Sequence, residues 1–156
     1  REPGGTEVGV LIRDIVLHHR GEVAPRAEAL LYAADRAQHV QTLVVPALER
    51  GDVVVQDRYL DSSVAYQGAG RVLDATEVRD LSLWATGGEL PDVTILLADD
   101  KPFDRLEAER EDFHARVRTA FLDLASAEPE RFLVLDATLP AAELAARVRS
   151  RIEPLL

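Results

Sequence analysis

Residues 57–68 read Asp-Arg-Tyr-Leu-Asp-Ser-Ser-Val-Ala-Tyr-Gln-Gly and follow an apolar run, Val53, Val54 and Val55. A carboxylate at a strand end, Asp57, can hold a magnesium ion directly or through water. The neighbouring Arg58 carries a planar fork that grips phosphate oxygens in two places. A helix cap or a plain Asp57–Arg58 ion pair is the structural alternative. Ser62 and Ser63 suit capping of a following helix. One turn on, Tyr66 offers a ring and a hydroxyl, and Gln67 offers a donor and an acceptor, the pair needed to read a nucleobase edge. Tyr32 and Arg36 are four apart and share a helical face. Together they could stack on a base and bond its carbonyl. Taken singly, they also fit a core tyrosine and a surface arginine, with Glu28 or Asp35 neutralising the latter.

These residues need elements to position them. Pro3, Gly4 and Gly5 form a turn signature, and Thr6 and Glu7 open a helix running to about His19. Residues 26–50 predict a long helix. Its apolar stripe runs through Leu30, Leu31, Ala34, Ala37, Val40, Leu43, Val44, Ala47 and Leu48, bent or divided at Pro46 and ended by Gly51. Residues 52–57 read as a buried strand. Residues 75–86 read as a helix, Val93 to Asp99 as a second strand, residues 111–127 as an amphipathic helix, residues 131–137 as a third strand and residues 140–153 as a closing helix. Apolar strands alternating with helices predict an α/β fold with a parallel sheet covered on both faces. Ligands in such sheets bind at the carboxyl ends of the strands, where Asp57 and Arg58 would stand.

Composition narrows the function. The chain has 156 residues, 47% of them hydrophobic, enough for one domain with a real core. No apolar run approaches the ~20 residues that cross a bilayer, and no signal peptide is visible, which suits the cytoplasm and no membrane partner. Cysteine is absent, which excludes disulfides and thiolate metal sites. The net charge of −10 argues against nucleic acid as a partner. Lys101 is the only lysine, so arginine supplies 17 of the 18 basic residues. His18, His19, His39 and His114 show no metal-ligand spacing and read as surface or satisfied residues.

The strings "REPGGT", "YAADRAQH", "DRYLDSSVAYQG" and "TGGELPD", in that order, resemble the bacterial type of thymidylate kinase. The resemblance extends to "DRLEAEREDFHARVR" and "PERFLVLDA" and so covers nearly the whole chain. It implies the P-loop nucleoside monophosphate kinase fold, transfer of the ATP γ-phosphoryl group to dTMP with Mg²⁺, and a homodimer. By the same resemblance, Tyr32 would stack on thymine and Arg36 would bond its carbonyl. Ser63 and Gln67 would line the base pocket, and Tyr66 would pack on the deoxyribose. Arg13 and Arg58 would bind the acceptor phosphate. Glu2 would face the acceptor and the metal, and Asp57 would place Mg²⁺ through its water shell. A non-catalytic nucleotide-binding domain, or another nucleoside monophosphate kinase, is the alternative.

Two parts that the resemblance implies do not occur as strings here. One is a strand and glycine-rich phosphate loop before "REP"; the other is an arginine-bearing lid after Asp99, of which Asp104 and Arg105 would be the remnant. The chain contains no methionine, even at position 1. The expectation is a single nucleotide kinase domain over residues 1–156, with the loop and the lid belonging to the protein but not to this stretch.

Overall fold

The computed structural model describes residues 1–71, 73–98 and 108–156, with backbone alone at 108–111. These residues gather into two compact units, Arg1–Leu90 and Pro91–Leu156. Asp104 and Arg105 lie outside the described residues.

The first unit is helical. Helix α1, Glu7–His18, starts where the Thr6 hydroxyl accepts the Gly9 N–H at 2.9 Å, supplying a partner for one orphan donor of the first turn. Helix α2, Pro25–His39, has proline in its first turn, where the missing N–H costs nothing. It packs on α1 and on α5, Ala75–Thr86. Buried Ala29 and Ala33 keep its surface low. On the α1 side, a Cβ on Gly9 would come 2.3 Å from Asp35 Oδ1, so glycine is what lets the two helices meet there. Pro46 divides the predicted long helix. Wider π turns at Val40–Val44 precede α3, Val45–Glu49, and Gly51 ends it at φ +79°. Because Pro46 has no N–H to give the preceding turn, the regular ladder is broken before it.

The buried face of this helix is not the predicted leucine stripe. Leu30 is 57% exposed, and Leu43 and Leu48 are exposed as well. Ala29, Ala33 and Val40 face the interior together with Asp35, Arg36 and His39. Polar groups can occupy that face because each of the three finds a bonding partner there, which offsets desolvation.

Residues 52–57 also depart from expectation. They form no strand ladder among the described residues, and Val55 is 92% exposed. A strand exists only by pairing. The backbone bonds here are turn and loop bonds, from Asp52 N–H to Ala47 C=O at 3.0 Å and from Glu2 N–H to Asp57 C=O at 3.1 Å. A short helix α4, Leu60–Ser63, follows and widens into π turns at Val64–Gly70. Helix α5 is capped by Asp74, whose Oδ1 accepts from Thr76 and Glu77 N–H. It stops at Gly87 in the left-handed region, φ +68°.

The second unit holds the parallel pair. Strand β1, Thr94–Ala98, runs beside β2, Phe132–Asp136, in register Thr94↔Phe132 through Ala98↔Asp136. The intervening helix α6, Ala108–Ala127, makes the crossover that parallel strands require. Val117 and Ala125 of α6 are buried, as are Phe132 and Leu135 of β2. Helix α7, Ala141–Ile152, packs on β2. The α/β class and the parallel pairing stand as predicted, with two strands rather than three among the described residues. None of the described helices is long and apolar enough to cross a membrane.

Candidate active site

Two helical faces at four-residue spacing meet in the first unit. Glu28, Tyr32 and Arg36 line one side of α2. Ser63, Gln67 and Arg71 occur at the same spacing where α4 widens into its π turns. Bonds join the two faces at both ends. Arg36 NH2 donates to Ser63 Oγ at 3.1 Å. Gln67 Nε2 donates to Glu28 Oε1 at 3.0 Å, and Arg71 bonds the same carboxylate through Nε at 3.3 Å and NH2 at 3.1 Å. Tyr32 is half-buried between these two junctions in the sequence of the face. The predicted base-pocket residues Tyr32, Arg36, Ser63 and Gln67 therefore stand together.

Arg36 is anchored from three directions. Its Nε donates to Glu2 Oε2 at 2.8 Å and its NH1 to Ser82 Oγ at 3.2 Å, besides the bond to Ser63. The side chain is 2% exposed, and the guanidinium lies 5.6 Å from the Tyr59 ring centroid. Of five N–H donors, three are used in this way. Neither Glu28 nor Asp35 neutralises it. Glu28 serves Gln67 and Arg71, and Asp35 Oδ1 accepts the Gly4 N–H at 3.0 Å. Glu2 is the counter-charge. Its second oxygen lies 3.2 Å from His39 Nδ1, so the carboxylate is enclosed between Arg36 and His39. This pairing is what lets Glu2 be buried, because a carboxylate out of water is stable only with its lone pairs occupied.

Burial and the Glu28 carboxylate raise the Tyr32 phenol pKa, while the charges of Arg58, Arg13 and Arg71 act in the lowering direction. Arg13 NH1 donates to Pro3 C=O at 3.0 Å, and its stem lies so close to Gly4 (φ +98°) that a Cβ there would meet Cδ at 2.8 Å. The Arg58 guanidinium sits 4.9 Å from the Tyr66 ring centroid. Hydrogen bonding to the Tyr66 side chain holds the Arg58 guanidinium above its ordinary range, against the lowering effect of burial. Arg58 itself has φ +64°, a left-handed backbone that is strained for a residue other than glycine, and a kind of strain that collects at working sites. Tyr59, next in the chain, donates its hydroxyl to Glu89 C=O at 3.0 Å, and burial pushes its pKa up to about 12.

Asp57 is exposed, and its carboxylate takes no hydrogen bond from the described residues, so it is open to a hydrated ion. Among those residues, no three acidic or histidine side chains cluster as a metal cage. A hydrated ion held by one free carboxylate and by substrate phosphates suits Mg²⁺, which sheds water reluctantly. Glu2, with both oxygens engaged, does not fit as a ligand.

Sequence reasoning named most of these residues and missed Ser82, Arg71 and the roles of His39 and Glu28. The repeat of polar residues at 63, 67 and 71, matching 28, 32 and 36, was the available signal. Nothing local marks Ser82, which is 1% exposed on α5.

An α/β chain that sets arginines and a tyrosine on two joined helical faces beside side-chain donors and acceptors has features of the nucleoside monophosphate kinases. The structure is similar to that of thymidylate kinase from Ehrlichia chaffeensis, with a TM-score of 0.78 and 30% identity, over 90% of this chain and 70% of that one. A family model described as thymidylate kinase matches residues 1–148. The thymidylate kinase of Clavibacter michiganensis subsp. michiganensis (strain NCPPB 382) is 66% identical over 100% of this chain and 80% of its own length. That of Leifsonia xyli subsp. xyli (strain CTCB07) is 67% identical over 98% and 78%. The chain belongs to the thymidylate kinase family.

Proposed function

We infer that the protein is a dTMP kinase, which moves the γ-phosphoryl group of ATP onto a phosphate oxygen of dTMP to give dTDP and ADP, and that the paired helical faces hold the acceptor. The observation that supports the acceptor site is the joining of the two helical faces around Tyr32, by Arg36 to Ser63 at 3.1 Å and by Gln67 to Glu28 at 3.0 Å, with the Arg58 guanidinium 4.9 Å from the Tyr66 ring centroid. The acceptor phosphate meets Arg13 and Arg58, and the thymine lies along Tyr32 toward Arg36 and Gln67. Tyr66, held against Arg58, packs on the deoxyribose.

The reaction asks for placement rather than covalent help from the protein. The acceptor oxygen is already nucleophilic, and a new O–P bond forms as the bond to ADP breaks. Arg13 and Arg58 hold the acceptor in line and offset the charge that develops on the phosphoryl oxygens. Arg36, locked by Glu2, Ser63 and Ser82, keeps its remaining N–H groups in a fixed direction for the base carbonyl. Asp57 would hold a hydrated Mg²⁺ through its water shell, and the ion would supply positive charge to offset that of the phosphates.

The enzyme works as a homodimer in the cytoplasm. The apolar side chains left exposed on α1 and α2, among them Leu11, Ile15 and Leu30, support a second copy as their cover. Sedimentation of the intact protein checks this, and a monomer at micromolar concentration rules it out. Substrate competition checks the reaction. With ATP and Mg²⁺, the intact protein phosphorylates dTMP far faster than dCMP or AMP; equal rates on either would overturn the reading.

A further inference from the structure

The two ends of the Gln67 amide carry opposite hydrogen-bonding sense, so its orientation decides what the site can read. That orientation is fixed by Glu28. A carboxylate only accepts, so the NH₂ end must face it, and Gln67 Nε2 donates to Glu28 Oε1 at 3.0 Å. Glu28 is itself held. It is mostly buried, and Arg71 grips both of its oxygens, at 3.3 Å and 3.1 Å. Gln67 is buried as a residue, yet its carbonyl oxygen takes no hydrogen bond from the described residues and is not sealed from solvent. What Gln67 offers an incoming ring is therefore an acceptor.

We propose that Glu28 is a positioning residue that sets base specificity: by holding the Gln67 amide with its carbonyl outward, it makes the site select a pyrimidine whose ring nitrogen carries a proton. Thymine has such an N–H. Cytosine presents a bare ring nitrogen there, an acceptor facing an acceptor, and a polar mismatch of this kind discriminates strongly because a desolvated group is left unpaired. The proposal rests on the acceptor reading above, and its test separates the two.

The test is the ratio of kcat/KM for dTMP to that for dCMP in the intact protein. Glu28→Gln keeps the size but offers a donor as well as an acceptor, so the Gln67 amide is free to turn. The ratio is expected to fall about tenfold or more. A merely structural loosening lowers both substrates by the same factor and leaves the ratio where it was, which overturns the proposal. Gln67→Leu is the companion variant. If it lowers the ratio and Glu28→Gln does not, Glu28 has no orienting role although Gln67 still reads the base. If neither moves the ratio, base reading by Gln67 falls too, and the proposal with it. Glu28→Ala is read in the same way should the glutamine variant not fold. The wild-type protein gives an independent check by NMR. The Gln67 side-chain NH₂ signals, identified by their loss in Gln67→Leu, keep their bond to Glu28 when dTMP binds; a new bond from that NH₂ to the nucleotide overturns the proposal.

Discussion

Arg36 Nε lies 2.8 Å from Glu2 Oε2, and both side chains are 2% exposed. The pair ties the chain's opening turn to the middle of α2. Removing one partner strands the other charge away from water, and such a loss costs about 3–5 kcal/mol. Arg36→Ala is thus expected to lower the urea midpoint markedly as well as weaken dTMP binding. Urea denaturation beside nucleotide titration reads both effects. An unchanged midpoint would mean that the pair contributes nothing to the fold.

Arg58 combines the proposed phosphate-binding cation with a strained backbone. Arg58→Gly removes the guanidinium and suits φ +64°, so its stability is expected to stay within about 1 kcal/mol of the parent. Turnover is expected to fall on the order of a hundredfold, as for other losses of transition-state charge stabilisation. Steady-state kinetics and thermal melting separate the two quantities. Parallel losses in both would assign Arg58 a structural role.

Tyr59 links stability to alkaline pH. Its folded pKa of about 12 stands above the ordinary 10.0, chiefly through burial. The folded state therefore holds the phenol proton more tightly than the unfolded state. The resulting stability is fully present below pH 10 and is lost as pH rises toward about 12. Melting temperature measured across that window is expected to drop less in Tyr59→Phe than in the parent. Equal drops would remove Tyr59 from the account.

Gly9→Ala probes the contact of α1 with α2. The added methyl would sit 2.3 Å from Asp35 Oδ1, a clash that the buried carboxylate cannot escape while it holds Gly4 N–H. Overpacking of this kind costs about 1–3 kcal/mol, although alanine by itself favours a helix. Thermal unfolding decides between clash and propensity, and a stabilised variant would show that the helices can part.

The sequence carried the helices and the two paired strands well, because periodicity, caps and breakers are written among near neighbours. Thr6, Gly51 and Gly87 ended or began helices where their types predict. The predicted strand at residues 52–57 failed for a different reason. Its valines specify extended backbone, but a strand also requires a partner, and composition cannot supply one. The leucine stripe of residues 26–50 misled because hydrophobicity alone was used to choose the inward face. Arg36 and His39 took that face by bonding to Glu2, a preference visible only once the turn at residues 1–5 is in place.

The candidate site divides along the same line. Residue types and spacing by themselves determined that Tyr32 and Arg36 share a face, and that Ser63 and Gln67 lie one turn apart, since backbone geometry fixes both relations locally. Which charge meets which was decided by tertiary structure alone. Glu2 and Arg36 are 34 residues apart in the chain and Glu28 and Gln67 are 39 apart. A charged group chooses its partner by desolvation and distance in the folded molecule, and neither quantity exists until the helices have packed.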